Sequence, residues 1–272
     1  MELIAGFAGA ASLFGALLFY FGWTRAAATF RYFGIEIGLL DLSFTDLLLR
    51  SVRSTYFPLL LIAVLGLGAV LLHRRVINSA HAPVLGGGLV VVGAVGLLVG
   101  LIANAGVVTF RTAWPTVPAI LLGGALACVY GAALRTKSTG TDPIPRTARL
   151  LVAGILLLLV FWLVSSYANF RGTTNAIAIV RDLAARPSVI LLSERELHLR
   201  GSGLTVQTID GDDSAYRFCY GGLRYLIRSD SQHFLLPEHW ERGRDAVVVI
   251  EDDVSIRFEY LASTDPTFCP AE

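Results

Sequence analysis

Long apolar runs without charged residues constrain this chain more than any other feature of its sequence. The hydrocarbon core of a bilayer is about 30 Å thick and takes about 20 apolar residues in helical form, because every backbone polar group must be bonded internally there. Five stretches before Phe170 have about this length and composition. They predict five transmembrane helices at positions 3–23, 56–72, 84–103, 117–134 and 150–167.

The remainder of the chain has the composition of a water-facing domain. Charged residues make up 16% of the whole sequence, whereas a soluble protein averages about a quarter, and most Asp and Glu residues lie beyond Phe170. In residues 171–272, short runs of apolar residues alternate with polar turn sequences. We therefore predict a membrane α-helical bundle over residues 1–170, followed by a small α+β domain with a mostly antiparallel sheet.

Turn signals divide residues 171–272 into one helix and eight short strands. Thr173 or Thr174 can cap a helix that extends to about Ala185, and Pro187 follows it. The pair Asp252-Asp253 predicts a tight hairpin between the last two strands. The predicted strands are 189–192, 197–199, 204–208, 216–220, 225–228, 233–236, 246–251 and 255–260.

The segment 24–55, between the first two predicted spans, mixes charged and aromatic residues. Phe30, Tyr32 and Phe33 lie among arginines and carboxylates, and such a mixture favours the interface between lipid and water. We expect a connector that lies along the membrane; a docking surface or a lateral gate is the alternative. The charged residues of such a docking surface would be Arg25, Arg31, Asp41, Asp46 and Arg50.

Small residues recur at four-residue spacing in the third and fourth predicted spans. This spacing places small side chains on one helix face, so that two helix backbones can approach closely. It predicts tight packing within the bundle, and self-association of copies is the alternative. The predicted helix-packing residues are Gly96, Gly100, Gly123 and Gly124.

Cysteines and basic residues bear on the orientation in the membrane. Cys219 and Cys269 both lie in the polar half, so we predict a disulfide between them, which would place that domain outside the cytoplasm. Two free cysteines in a cytosolic domain are the alternative. Arginine and lysine are densest in the two short loops that contain Arg74 and Arg135, which favours a cytoplasmic N-terminus. We expect a plasma-membrane protein with its C-terminal domain outside.

The sequence offers little support for catalysis or for a cofactor. The predicted spans have no ionisable residue near their centres, which argues against a proton-coupled transporter. His233, Glu238 and His239 do not match common zinc spacings, and residues 210–213 form only the start of a calcium loop. Residues 201–203 lack the pattern around a serine nucleophile. We therefore expect no enzyme activity, metal or cofactor, and the scattered arginines argue against nucleic-acid binding.

Several stretches resemble a group of multi-pass membrane proteins from actinobacteria for which no activity is known. The resemblance touches both halves of the chain and implies a shared architecture, but it supplies no functional residues. The resembling stretches are Tyr32-Phe33-Gly34-Ile35, Asp46-Leu47-Leu48-Leu49-Arg50-Ser51, Ser193-Glu194-Arg195-Glu196-Leu197-His198-Leu199, Gly222-Leu223-Arg224-Tyr225-Leu226-Ile227-Arg228-Ser229 and Phe234-Leu235-Leu236-Pro237.

Three hypotheses for the function follow from these patterns. The leading one is a non-enzymatic membrane protein whose extracytoplasmic domain binds a protein or an envelope component. Its rival is an oligomeric channel or passive transporter, which would use the small-residue faces and the segment 24–55. The third is a sensor that relays signals across the membrane through a helper protein. In each case the lipid bilayer itself is an expected partner.

Overall fold

Helices fill the first part of the chain. The computed structural model describes residues 2–41, 82–106, 115–139, 145–209 and 214–262, together with isolated positions between 43 and 71. The α-helices in the continuous stretches are α1 (Glu2–Tyr32), α2 (Ala82–Asn104), α3 (Thr116–Thr139) and α4 (Arg146–Arg181). Within the described part, three stretches are long and apolar enough to cross a membrane: Val84–Asn104, Thr116–Arg135 and Arg146–Arg181.

The chain divides into two units, which we call the helical unit and the sheet unit. The helical unit comprises Met1–Arg25 and Leu48–Arg171, and the sheet unit comprises Ala26–Leu47 and Gly172–Glu272. The final residues of α1 and of α4 therefore belong to the sheet unit. Residues 26–47, which the sequence places in the predicted interfacial segment, also group with the sheet.

Helix α4 is longer than the sequence predicts. The separate helix predicted from Thr173 is wrong, because Arg146–Arg181 is one helix of 36 residues, which also contains the predicted span 150–167. No proline lies between these ends, and a single Gly172 costs a helix interior only about 1 kcal/mol. At about 1.5 Å per residue the helix is roughly 54 Å long, well beyond a bilayer core of about 30 Å. The predicted span 56–72 lies outside the described residues, except for isolated helical positions.

Helices α2 and α3 pack against each other in antiparallel directions through glycines. A Cβ atom at Gly93 would lie 2.6 Å from the Sγ of Cys128, and one at Gly100 would lie 2.6 Å from Leu121 Cδ2. Gly124 faces α2 in the same way, whereas a Cβ at Gly123 would meet nothing within 4 Å in the described part of the chain. The tightest α2 positions, Gly86, Gly93 and Gly100, are seven residues apart, or about two helical turns.

The sheet unit contains a six-stranded sheet in which every described pairing is antiparallel. The strand order is β5-β4-β3-β1-β6, and β2 also pairs with β3. Strand β3 therefore pairs with β1 along one edge and with β2 and β4 along the other. The strands are β1 (Ser188–Ser193), β2 (Thr205–Thr208), β3 (Phe218–Ser229), β4 (Gln232–Pro237), β5 (Val248–Glu251) and β6 (Ile256–Leu261).

Three details of the sheet differ from the sequence prediction. The predicted strands 216–220 and 225–228 are parts of one strand, β3. The strand continues through Gly222, which has a φ of 75° and lies directly against the backbone of Gly203, a position that only glycine fits without strain. Residues 197–199 are not a strand, and His198 there has a φ of 50°. The predicted hairpin is wrong too, because β5 pairs with β4 whereas β6 pairs with β1.

The sheet curls strongly around a core on its inner face. The rings of His233 in β4 and Phe258 in β6 stack with centroids 3.9 Å apart. Two strands separate β4 from β6 in the sheet, so a flat sheet would hold them about 14 Å apart. Curling brings them together and encloses the inner side chains, which are Val189, Leu191, Tyr220, Leu223, Leu235, Val248 and Ile250.

Candidate functional site

A polar cluster occupies one end of the curled sheet. We define it as Arg228, His233, Asp252 and Tyr260. The His233 ring is buried, its Nε2 atom lies 2.6 Å from Asp252 Oδ1, and its Nδ1 atom lies 2.6 Å from the Tyr260 hydroxyl. Asp252 lies in the turn after β5 and Tyr260 lies in β6, so the imidazole connects β4 to groups 19 and 27 residues further along the chain.

Asp252 is the charged centre of the polar cluster. Its second carboxylate oxygen accepts a hydrogen bond of 2.5 Å from Arg228 Nη2. Burial by itself acts to raise the pKa of Asp252, but the hydrogen bond and charge interaction with His233, together with the Arg228 guanidinium, lower this pKa below its usual range. Asp252 is therefore a carboxylate at neutral pH, and the arginine balances its charge.

Tyr260 is the aromatic part of the polar cluster that solvent reaches. Its side chain is 48% exposed, and its ring lies edge-to-face on Tyr225 with centroids 5.5 Å apart. Burial raises the pKa of Tyr260; Tyr225 and Asp252 add to this rise, and Arg228 only partly opposes it. The phenol therefore keeps its proton at neutral pH.

The order carboxylate, imidazole, hydroxyl is also that of nucleophilic catalysis. In that chemistry the histidine acts as a general base and draws a proton from the hydroxyl. Burial raises the pKa of Tyr260, so its phenol is a weaker acid than that of a free tyrosine. The two bonds of the imidazole also hold the Tyr260 ring in a fixed position.

The residues considered for a metal site have separate partners. His233 lies in the polar cluster. His239 instead lies beside Gly203, where a Cβ atom added to the glycine would be 2.8 Å from His239 Cδ2. Glu238 pairs with Arg224, whose side chain is fully buried, through a hydrogen bond of 2.5 Å from Nη2. The structure does not bring these two histidines and Glu238 together as one set of ligands.

The buried pair of Arg224 and Glu238 is a structural element of the sheet unit. Arg224 Nη1 also donates to the carbonyl oxygen of Arg186, at 3.1 Å, which ties β3 to the segment after α4. The removal of one partner from a buried ion pair typically costs about 3–5 kcal/mol, because the other charge stays buried without compensation. This pair therefore fixes the backbone on the sheet side opposite the polar cluster.

The aromatic residues of the predicted interfacial segment pack within the sheet unit. Phe33 and Trp240 are 6% and 4% exposed, and their ring centroids are 5.2 Å apart. The Cζ atom of Arg242 lies 4.4 Å above the ring of Tyr32, a cation–π contact. The Thr29 hydroxyl donates to the carbonyl oxygen of Gly172 at 3.0 Å. This part of the segment is therefore built into the folded sheet unit. Its position at the lipid interface stays a prediction.

The charged residues of the predicted docking surface are only partly described. Arg31 and Asp41 are exposed, and Arg25 is half-buried. Asp46 and Arg50 lie outside the described residues. The sequence interpretation did not identify the polar cluster.

The predicted disulfide also reaches beyond the described residues. Cys219 is fully buried in β3, where it is paired with Leu192 of β1 and Gln207 of β2. Cys269 lies outside the part of the chain that the structure describes, so the bond between the two cysteines stays a prediction.

No protein-family model matches the chain, and no curated protein or solved structure is significantly similar to it. The resemblance to actinobacterial membrane proteins therefore stays an expectation. A function has to be argued from the geometry of the polar cluster and of the helices.

Proposed function

We propose that the chain is a multi-pass integral membrane protein whose sheet unit lies outside the cytoplasm and binds a protein or an envelope component. The observation that carries this proposal is the polar cluster. It fixes a half-exposed tyrosine and an exposed ion pair on the sheet. A preformed polar and aromatic surface of this kind is suited to recognition, because little conformational freedom is lost on binding.

The packing of α1 and α4 supports five membrane crossings. Tyr20 of α1 stacks on Phe161 of α4 with centroids 5.0 Å apart, and further along both helices Thr29 bonds to Gly172. Contacts that advance in the same direction along both helices mean that the helices run parallel. Parallel spans require an odd number of crossings between them. Helices α2 and α3 supply two, so the parallel pair favours a third crossing at the predicted span 56–72.

Five crossings place the two ends of the chain on opposite sides of the membrane. The density of basic residues in the short loops then favours a cytoplasmic N-terminus. Alkaline phosphatase, which is active only outside the cytoplasm, tests this when it is fused after Glu272. We expect an active fusion. An inactive phosphatase, together with a fluorescent fusion at the same position that matures in the cytoplasm, would overturn the orientation.

The rival hypothesis of an oligomeric channel loses one of its supports. The glycines Gly93, Gly100 and Gly124 lie in the contact between α2 and α3 of one chain, where they allow close approach of the two backbones. This surface is therefore already used within the chain and is not free for contact with a second copy. The observations on the sheet unit favour partner binding instead.

Site-specific photo-crosslinking in native membranes tests partner binding. A photoreactive amino acid at Val254, which is 95% exposed and lies two residues after Asp252, leaves the polar cluster intact and is expected to give a discrete adduct. The matched control is Arg217, an exposed residue just before the other end of β3, which should give none. Equal labelling at the two positions, or no adduct at Val254 with any protein or envelope polymer, would count against the proposal.

A further inference from the structure

The exposed ring of Tyr260 is held in place at both ends. Its hydroxyl is bonded to His233, which is itself fixed by Asp252 and by stacking on Phe258. Its edge contacts Tyr225 in β3. The ring therefore forms a rigid aromatic surface that solvent reaches. Aromatic faces carry partial negative charge and attract the weakly positive C–H groups of a ligand that lies flat on them.

The charges beside this ring are paired and partly exposed. Arg228 and Asp252 have side chains that are 54% and 38% exposed, and they form an ion pair. A guanidinium carries five N–H donors and a carboxylate has about four acceptor positions, so both groups keep free hydrogen-bonding capacity in this pair. Because the two charges compensate each other, the surface favours a neutral ligand with several hydroxyl groups over an anion or a cation.

We infer that the polar cluster, with Tyr225, is a binding site for a neutral carbohydrate of the cell envelope. The sugar ring stacks on Tyr260, and neighbouring hydroxyls bond to Arg228 and Asp252. This inference rests on the proposed function, because it needs the sheet unit outside the cytoplasm. It narrows the partner to a glycan, because a fixed tyrosine ring beside a neutral ion pair suits a neutral ligand with many hydroxyl groups.

Oligosaccharide binding to the full-length protein in nanodiscs tests the inference. The probes are maltotetraose, chitotetraose and mannotetraose, and saturation-transfer NMR detects binding up to millimolar concentrations. The variant Tyr260→Ala should weaken binding about two- to twelvefold, which is the fold-change that corresponds to one aromatic contact. Tyr260→Phe keeps the ring and should retain most of the affinity. The matched control is Tyr216→Ala, at a half-buried tyrosine just before β3.

The outcomes separate this inference from the proposed function. Saturable binding of a probe that Tyr260→Ala weakens, with Tyr216→Ala unchanged and melting temperatures equal, supports the glycan site. Failure of every probe to bind, or equal loss in both alanine variants, overturns it. If no probe binds while the crosslinker at Val254 captures one discrete protein, the glycan inference fails and partner binding stands. If neither occurs, both fail.

Discussion

The contact between Phe33 and Trp240 predicts that the segment after α1 is needed for a stable sheet unit. Phe33 is 6% exposed and packs on the ring of Trp240. A buried aromatic side chain covers about 150–250 Å², which at about 25 cal/mol per Å² corresponds to roughly 4–6 kcal/mol. Measured Phe→Ala substitutions in protein cores cost about 3–5 kcal/mol. We expect Phe33→Ala to destabilise the sheet unit by about that amount.

A loss of this size should be visible as an early melting transition. For a domain of this size, 1 kcal/mol lowers the midpoint by roughly 3–5 °C, so Phe33→Ala should melt about 10–20 °C earlier. The assay is limited proteolysis of the full-length protein in nanodiscs at rising temperature, combined with hydrogen exchange of peptides from β3 and β4. The matched control is Leu39→Ala in the same segment, because Leu39 is 63% exposed and its loss should cost at most about 0.5 kcal/mol.

Two results would refute this reasoning. If Phe33→Ala and Leu39→Ala melt within a few degrees of each other, the segment does not stabilise the sheet unit. If Phe33→Ala prevents folding, Phe33→Leu keeps much of the apolar volume and should fold, with a melting temperature a few degrees below that of Leu39→Ala. A Phe33→Leu variant that melts like the wild type would equally contradict a specific contact with Trp240.

Three further predictions concern the glycine contact, the polar cluster and the cysteines. Gly93→Ala places a Cβ atom 2.6 Å from atoms of α3 and should lower the melting temperature of the helical unit in detergent. The control Gly88→Ala should leave that temperature unchanged, because a Cβ atom there meets nothing within 4 Å in the described part of the chain. The pKa of Asp252 is lower in the folded protein than the value of about 4 expected for the unfolded chain. Its carboxylate therefore stabilises the fold above about pH 4, and this stabilisation is lost as the pH falls through the folded pKa. In melts at pH 7 and pH 3, acid should destabilise the wild type more than Asp252→Asn. A bond between Cys219 and Cys269 should change mobility on non-reducing gels and disappear in Cys269→Ser; mobility that is unaffected by reductant would contradict it.

The sequence predicts the elements of this fold better than their connections. Apolar length predicts the helices α1, α2 and α3, and alternation predicts most of the strands, because both signals are local. The end of α4 is missed, since a stretch of mixed polar and apolar residues such as 168–181 can continue a helix when tertiary contacts support it. The hairpin at Asp252 is missed for a related reason. Asp252 N donates to the Ser231 carbonyl oxygen and Glu194 N donates to that of Ser255, so the ends of the turn bond to different partners.

The sequence analysis did not predict the candidate site, because the residues that form it are distant in the chain. His233 lies 19 residues from Asp252 and 27 from Tyr260, and only the curl of the sheet brings them together. The alternation of β4 and β6 gave a usable signal, since it places His233 and Tyr260 on inner faces. A histidine at an inward position of an apolar strand needs partners for both ring nitrogens, and the nearby Asp and Tyr residues are the groups that supply them.

The double bonding of His233 has a consequence for how the sheet unit opens. The buried imidazole bonds to Asp252, at the start of the turn after β5, and to Tyr260 in β6. Separation of β6 from β4 would leave a buried ring nitrogen without its partner, which costs about 1–3 kcal/mol. We therefore expect β4 and β6 to open in one cooperative step, so that their backbone amides exchange with solvent at similar rates.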